Sequence, residues 1–302
     1  MSTSDLRQLI RELNRLDVVR ADYNYLVQKL RAASKDTSIP LFQSSSTEFF
    51  FRARICNSCE LDHVSQLGAP PAEKVVGYQR CNPPGVPMFY AASNRQTALI
   101  EIDAQDEDIV FLSQWMPKAP LPINQVFTSS FPVERPEASA REILFHSYLD
   151  TIFTRQIHDS FSDAYKLTAA AAEVLTTRFV ESTIWDVRVD GTVGLRYPSV
   201  AHTFQAFNTA FHADFAKERL ELVHVTKLKV VKRSPGHTQI LLLDTALEAV
   251  DGFLVWQRSP IHIPLPIEDR KRIPFISNGR AWTLPVFQHP PSESDIDRFL
   301  SE

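Results

Sequence analysis

Two arginines, one glutamate and one serine are the residues of this chain whose types and spacing point to chemistry. Arg52 and Arg54 alternate within the apolar run FFFRARI, and a strand's two-residue period sends both to one face. Glu101 closes TALIE after three apolar residues and reads as an acid buried on an apolar face, which is costly without a partner. Ser199 ends RYPS, and Tyr90 closes the strand-like VPMFY. These residues admit two readings. One is an internal Arg–Glu ion pair, with Ser199 capping a turn, Arg80 and Asn82 bracing the NPPG turn, and Tyr90 in the core. The other is an anion pocket in which an arginine forks onto a phosphate and the glutamate faces a sugar or a cationic centre.

Other chemistry is weaker in the sequence. Cys56 and Cys59 in CNSC, with His63 and the more distant Cys81, have the residue types of a tetrahedral zinc site, but only one pair is closely spaced. With three cysteines in all, reduced thiols are expected and a disulfide framework is not. His146, His158, His202, His212, His224, His237, His262 and His289 show no ligand spacing. No GxGxxG, P-loop, HExxH or GxSxG motif is present.

The chain has 302 residues, enough for one large domain or two modest ones. A net charge of -4 gives a nucleic-acid or anionic-membrane partner no electrostatic support. No run approaches the ~18 apolar residues of a membrane span, and MSTSDLRQLIRELNRLD lacks a signal-peptide core, so a cytoplasmic protein is expected. Twenty prolines against 8 glycines predict long irregular connections and disfavour Gly-rich phosphate loops.

The elements that must position these residues follow from periodicity. Apolar positions Leu6, Ile10, Leu13, Leu16, Tyr23, Leu26 and Leu30 predict one or two amphipathic helices, followed by a linker over Lys35–Ser46. EFFFRARI, VPMFYAAS, DIVFLSQW and LRYPSV predict strands, while SNRQTALIEI predicts a helix capped by Ser93 or Asn94 that runs into a strand. Prolines predict a long loop between Met116 and Ala140. Helices are predicted over Ser139–Asp159 and Asp163–Phe179, and paired strands over RLELVHVTKLKVVKR and TQILLLD. An irregular tail covers Ser259–Pro291, with SESDIDRFL a short closing helix. Strands and helices mixed without βαβ regularity give an α+β class.

The run FFRAR, LGAPP, RCNPPGVPMFYAASNRQTALIE, YKLTAAAAEVL and DGTVGLRYPS, with Asn208 beyond it, resembles a long-form RES domain. On that resemblance Arg52, Glu101 and Ser199 stand at the family's arginine, glutamate and serine. Arg80, Asn82, Gly85, Tyr90, Tyr197 and Asn208 are supporting matches, Gln79 stands where the family has a glycine, and Tyr78 lies near a further tyrosine position. The resemblance implies an ADP-ribosyltransferase-like fold of mixed and antiparallel sheets with flanking helices, over residues 48–225. An N-terminal helical extension (1–47) and a β-rich, Pro-rich C-terminal extension (226–302) flank it. It also implies a toxin that consumes NAD by cleaving the nicotinamide–ribose bond, as a glycohydrolase or phosphorylase, with no metal. Arg52 would bind the pyrophosphate with help from Arg80, Tyr90, Asn82 and Tyr197. Glu101 would stabilise an oxocarbenium ion and Ser199 would orient the nicotinamide side. An Xre-type antitoxin and a homodimer are the implied partners. Protein ADP-ribosylation is the alternative activity. A non-catalytic module, zinc-stabilised or docking through its N-terminal helices, is the alternative of another class.

Overall fold

A computed structural model describes residues 1–35, 37, 41–45, 48–126, 139–157, 159–177, 180–182, 187–189, 193–201, 206–234, 237–257, 273–277 and 280–284. The chain opens with helices α1 (Thr3–Arg15) and α2 (Tyr23–Ser34), then strands β1 (Leu41–Gln43), β2 (Phe50–Ile55) and β3 (Met88–Ala92). Helix α3 (Arg95–Glu101) precedes β4 (Ile109–Pro117) and β5 (Pro122–Gln125), and helices α4 (Ala140–Phe153) and α5 (Lys166–Thr176) follow. Next come β6 (Val180–Ser182), β7 (Val187–Val189), β8 (Gly194–Pro198), β9 (Phe207–His212) and helix α6 (Ala213–Arg219). The last strands are β10 (Leu220–Ser234), β11 (His237–Val250), β12 (Phe253–Trp256), β13 (Ile273–Ser277) and β14 (Arg280–Leu284). The α+β class expected from the sequence is the class observed, with the N-terminal helices in place.

The chain divides into two compact units, one made of residues 1–50, 68–97 and 116–221, the other of 51–67, 98–115 and 222–302. In the first unit the strand order is β1-β5-β8-β9-β3, with β5 and β8 parallel and the other pairs antiparallel. Tyr90 and Leu195 both stand opposite Ala210, and Ala92 and Tyr197 both stand opposite Asn208. Residues directly opposite one another share a sheet face, so Tyr90, Tyr197 and Asn208 point the same way.

That face is covered by helices. Leu6, Leu9 and Leu13 of α1, Leu26 and Leu30 of α2, Phe145, Leu149 and Phe153 of α4 and the alanines of α5 form one buried cluster with Met88, Leu195 and Ala210. Each buried aliphatic or aromatic side chain contributes roughly 1.5–3 kcal/mol relative to exposure. Caps set where the helices start. Ser2 and Asp5 form a capping box on α1, Asp22 accepts the Tyr25 N–H, and Ser139 with Glu142 boxes α4. On the opposite sheet face Phe211 meets Phe50 edge-on at 5.2 Å and stacks on Phe215 at 5.9 Å. Gly194 lies against Phe211 so closely that a Cβ there would sit 2.5 Å from the ring, which excludes any larger residue.

In the second unit the order is β2-β4-β10-β11-β12. Val110 and Phe111 of β4, Val225, Leu228 and Val230 of β10 and Ala246 of β11 are buried, with Trp256 edge-on to Phe111 at 5.8 Å. β10 and β11 pair antiparallel with two register shifts, and β13 and β14 form a hairpin.

The N-terminal apolar pattern forms two helices, within the one or two expected. Several other expectations are corrected. The linker expected over Lys35–Ser46 contains β1. The loop expected between Met116 and Ala140 contains β5, because Pro122 occupies the first strand position, where its missing N–H is tolerated. The tail expected to be irregular carries the β13–β14 hairpin, and helix α6 has no counterpart among the expected elements. The short helix expected over SESDIDRFL lies outside the described residues, as do His158, His202, His262 and His289. Among the described residues no helix is long and apolar enough to cross a membrane.

Candidate active site

The candidate residues fall into two groups, one in each unit. In the first, the backbone of Gln79 and Asn82 closes a tight turn, with Gln79 N–H donating to Asn82 O at 2.9 Å. Gln79 has no left-handed φ, so the glycine usual in the family is not required there, whereas Gly85 at φ 76° is. Arg80 and Cys81 are the central residues of the turn. Arg80 Nη1 donates to the carbonyls of Phe153 at 2.6 Å and Arg155 at 3.4 Å, and the guanidinium lies over the Tyr165 ring at 5.1 Å. The last carbonyls of a helix lack partners within it, and a cation there also meets the negative end of the dipole.

Asn82 is fully buried, and its Oδ1 accepts the Tyr90 hydroxyl, which in turn accepts the Cys81 N–H at 3.0 Å. Burial pushes the Tyr90 phenol well above its ordinary range and the Cys81 thiol up to about 12. Tyr90 and Tyr197 both hydrogen-bond the Cys81 side chain, and Tyr197 packs on Phe153 at 5.8 Å. Ser199 is fully buried just past β8, its N–H donating to Ala206 O at 2.8 Å. Asn208 is buried on β9 opposite Tyr197. The structure therefore brings Arg80, Asn82, Tyr90 and Tyr197 together around Cys81. Tyr78 lies elsewhere, against Tyr23 at 5.6 Å and under Lys166.

In the second unit Arg52 sits half-buried in β2, its carbonyl accepting the Ser113 hydroxyl of β4 at 3.0 Å. Arg54, on the same face, donates to the Gln66 carbonyl. Asn94 caps α3, accepting Thr97 N–H at 2.8 Å and the Thr97 hydroxyl at 2.9 Å. Of the two expected caps it is Asn94 that acts. Glu101 is the last residue of α3 and is exposed, which corrects its reading as a buried acid. Thr97 and Ala98 in the middle of the helix are buried, whereas Glu101 at its last position is exposed.

The cysteines also differ from expectation. Cys56 is joined to Cys59 by a disulfide, with Cα atoms 5.5 Å apart. His63 Nδ1 accepts the Ser65 N–H at 3.2 Å, its ring packs on Phe253, and Cys81 belongs to the buried cluster of the first unit. Among the described residues no group of three or more His, Cys, Asp or Glu is gathered as for a metal ion.

Sequence reasoning missed the seat of Arg80 on the end of α4 and the position of Cys81 between two tyrosines. Nothing local signals either contact, since Phe153 lies 73 residues away.

No curated protein matches the chain. The family model of the RES domain matches residues 61–229, a span that takes in Arg80, Asn82, Tyr90, Glu101, Tyr197 and Ser199 and begins after Arg52. That span is more than half of the 302 residues, and the chain belongs to the RES domain family.

Proposed function

We propose that the chain consumes NAD by cleaving the bond between nicotinamide and ribose. The observation that carries this reading is the exposed Glu101 carboxylate at the last position of a capped helix. A carboxylate there lies at the negative end of the helix dipole, which works against helix stability but strengthens the local negative potential. N-glycosidic cleavage develops an oxocarbenium ion, and a fixed negative charge at that position lowers the barrier. Nicotinamide is a good leaving group, so no strong general acid is required. Membership of the RES family, which includes NAD-consuming toxins, supports the assignment.

In this reading Arg52 binds the pyrophosphate through its planar fork of donors. Arg80, whose Nη1 is committed to the end of α4, offers its remaining N–H groups as a second contact. Ser199 orients the nicotinamide-side ribose or amide through its hydroxyl. Tyr90, Asn82 and Tyr197 hold the Arg80 turn from the buried side, where their polar atoms are engaged. Water as acceptor gives a glycohydrolase and phosphate a phosphorylase. Cytoplasmic NAD is the substrate pool, and an antitoxin of the Xre type is the partner in keeping with a toxin.

The test is release of free nicotinamide from NAD by the purified protein, followed with and without phosphate and with mass spectrometry of added proteins. Nicotinamide release that rises with phosphate identifies a phosphorylase, and release with water as the sole acceptor a glycohydrolase. NAD that stays intact in every arm sinks the proposal.

A further inference from the structure

The α1 helix turns Leu6, Leu9 and Leu13 into the buried cluster of the first unit. Its opposite side carries Arg7, Arg11 and Arg15, all exposed and spaced four residues apart. With 1.5 Å of rise per residue, successive arginines stand about 6 Å apart along the axis in a single stripe. Like charges at this spacing destabilise a helix, so the stripe works against the element that displays it.

The neighbouring carboxylates do not relieve it, because each is committed elsewhere. Asp5 accepts the Ser2 N–H at 2.9 Å in the capping box. Glu12 is held by Lys29 Nζ at 3.0 Å and by the Tyr25 hydroxyl, and Asp17 pairs with Arg20 at 3.4 Å. Among the described residues Arg7, Arg11 and Arg15 form no ion pair. The stripe therefore presents three uncompensated positive charges on a chain whose net charge is -4. Beside it lies an open recess that Arg11 and Arg15 line together with Gln8, Leu16 and Glu12, whose carboxylate is the one held by Lys29 and Tyr25.

We propose that this outer face of α1 docks an acidic helical segment of a partner protein. Carboxylates spaced four residues apart fork onto the three guanidiniums, and one apolar side chain of the partner rests on Leu16. Charge and spacing complementarity support this occupant. A membrane surface fits less well, because the apolar side of α1 is already buried and has nothing to insert. Nucleic acid fits less well, because its long phosphate backbone would run past a stripe of three arginines onto a chain of net negative charge, whereas a short acidic helix need not.

The test uses the full chain and a fluorescent helical peptide carrying three glutamates spaced four apart and one leucine. Anisotropy titrations compare the unmodified protein with R7Q/R11Q/R15Q, whose fold is checked by circular dichroism melting. The expected result is binding that weakens at least about tenfold in the triple variant and falls with added salt. The reversed variant R7E/R11E/R15E is expected to lose that peptide and gain its lysine counterpart. No binding of the glutamate peptide, or equal binding by the triple variant, overturns the proposal. So does arginine-dependent binding of a DNA duplex or of phosphatidylserine vesicles in preference to the peptide.

Discussion

Arg80 Nη1 stands 2.6 Å from the carbonyl of Phe153, so a side chain in the Gln79–Asn82 turn, within the RES span, holds the C-terminal end of α4. The Tyr165 ring under the guanidinium fixes its plane. The turn and the helix are thereby one mechanical unit.

Arg80→Ala leaves the last carbonyls of α4 unpaired and removes the stacking on Tyr165. We expect a loss of about 1.5–3 kcal/mol, the range for a charge-assisted hydrogen bond. Arg80→Lys is expected to recover only part of it, since an ammonium neither forks nor stacks as a guanidinium does. Urea denaturation midpoints check both, and full stability in Arg80→Ala would contradict the anchoring role.

Tyr90→Phe removes the hydroxyl that donates to the fully buried Asn82 and accepts the Cys81 N–H. Two buried polar groups then lose a partner, and the expected cost is about 1–3 kcal/mol. Equilibrium unfolding should show a lower midpoint with an unchanged m-value. A stacking role towards ligand without structural consequence would leave the midpoint where it is.

Glu101→Gln tests the proposed carboxylate. The side chain is exposed, so the change in stability is expected to stay within about 0.5 kcal/mol. Nicotinamide release is expected to fall about 100-fold or more, the scale of removing one fixed electrostatic partner from a transition state. Undiminished release with an intact fold would remove Glu101 from the mechanism.

His212 supplies a pH dependence. Burial lowers its pKa below the ordinary histidine value, outweighing the nearby Glu173 and Asp214, while Nε2 meets the Thr176 hydroxyl at 3.3 Å. The folded state therefore favours the neutral ring, and the unfolded chain takes up a proton first as the pH falls. Stability is complete above the unfolded value near pH 6.5 and is lost as the pH drops from there towards the folded pKa. Melting temperatures across this window should decline less steeply in His212→Gln than in the parent.

Thiol chemistry separates the three cysteines. Cys56 and Cys59 are bonded to each other, and Cys81 is buried with its thiol pushed up to about 12. The folded, unreduced protein is expected to show no fast reaction with iodoacetamide, because the thiolate is the reacting form. Mild reduction should expose two reactive thiols, and unfolding a third. Rapid alkylation of Cys81 in the native protein would contradict its place in the core.

Much of the local architecture was legible in the sequence. The strand of Arg52, the strand of Tyr90, the paired β10 and β11, and the helices α4 and α5 all follow from local patterning and propensity, which act over one or two turns. The order of Arg52, Glu101 and Ser199 along the chain, with Arg80 and Asn82 in support, was enough for the family resemblance, and the match over residues 61–229 bears out the family. The tertiary structure alone decided which side chains meet. An apolar run of three residues before Glu101 is compatible with a buried acid, and only the structure, in which Glu101 ends α3, leaves the residue exposed. The CNSC spacing suits free thiols or, less favourably, zinc, and the structure instead pairs Cys56 with Cys59. Cys81 and Tyr197 are 116 positions apart in number, and they meet because the β8–β9–β3 register puts Tyr197 on the same face as Tyr90, whose hydroxyl accepts the Cys81 N–H. Periodicity reports which face of an element is apolar. The partner of that face is set by packing between residues far apart in the chain, and that information is not local.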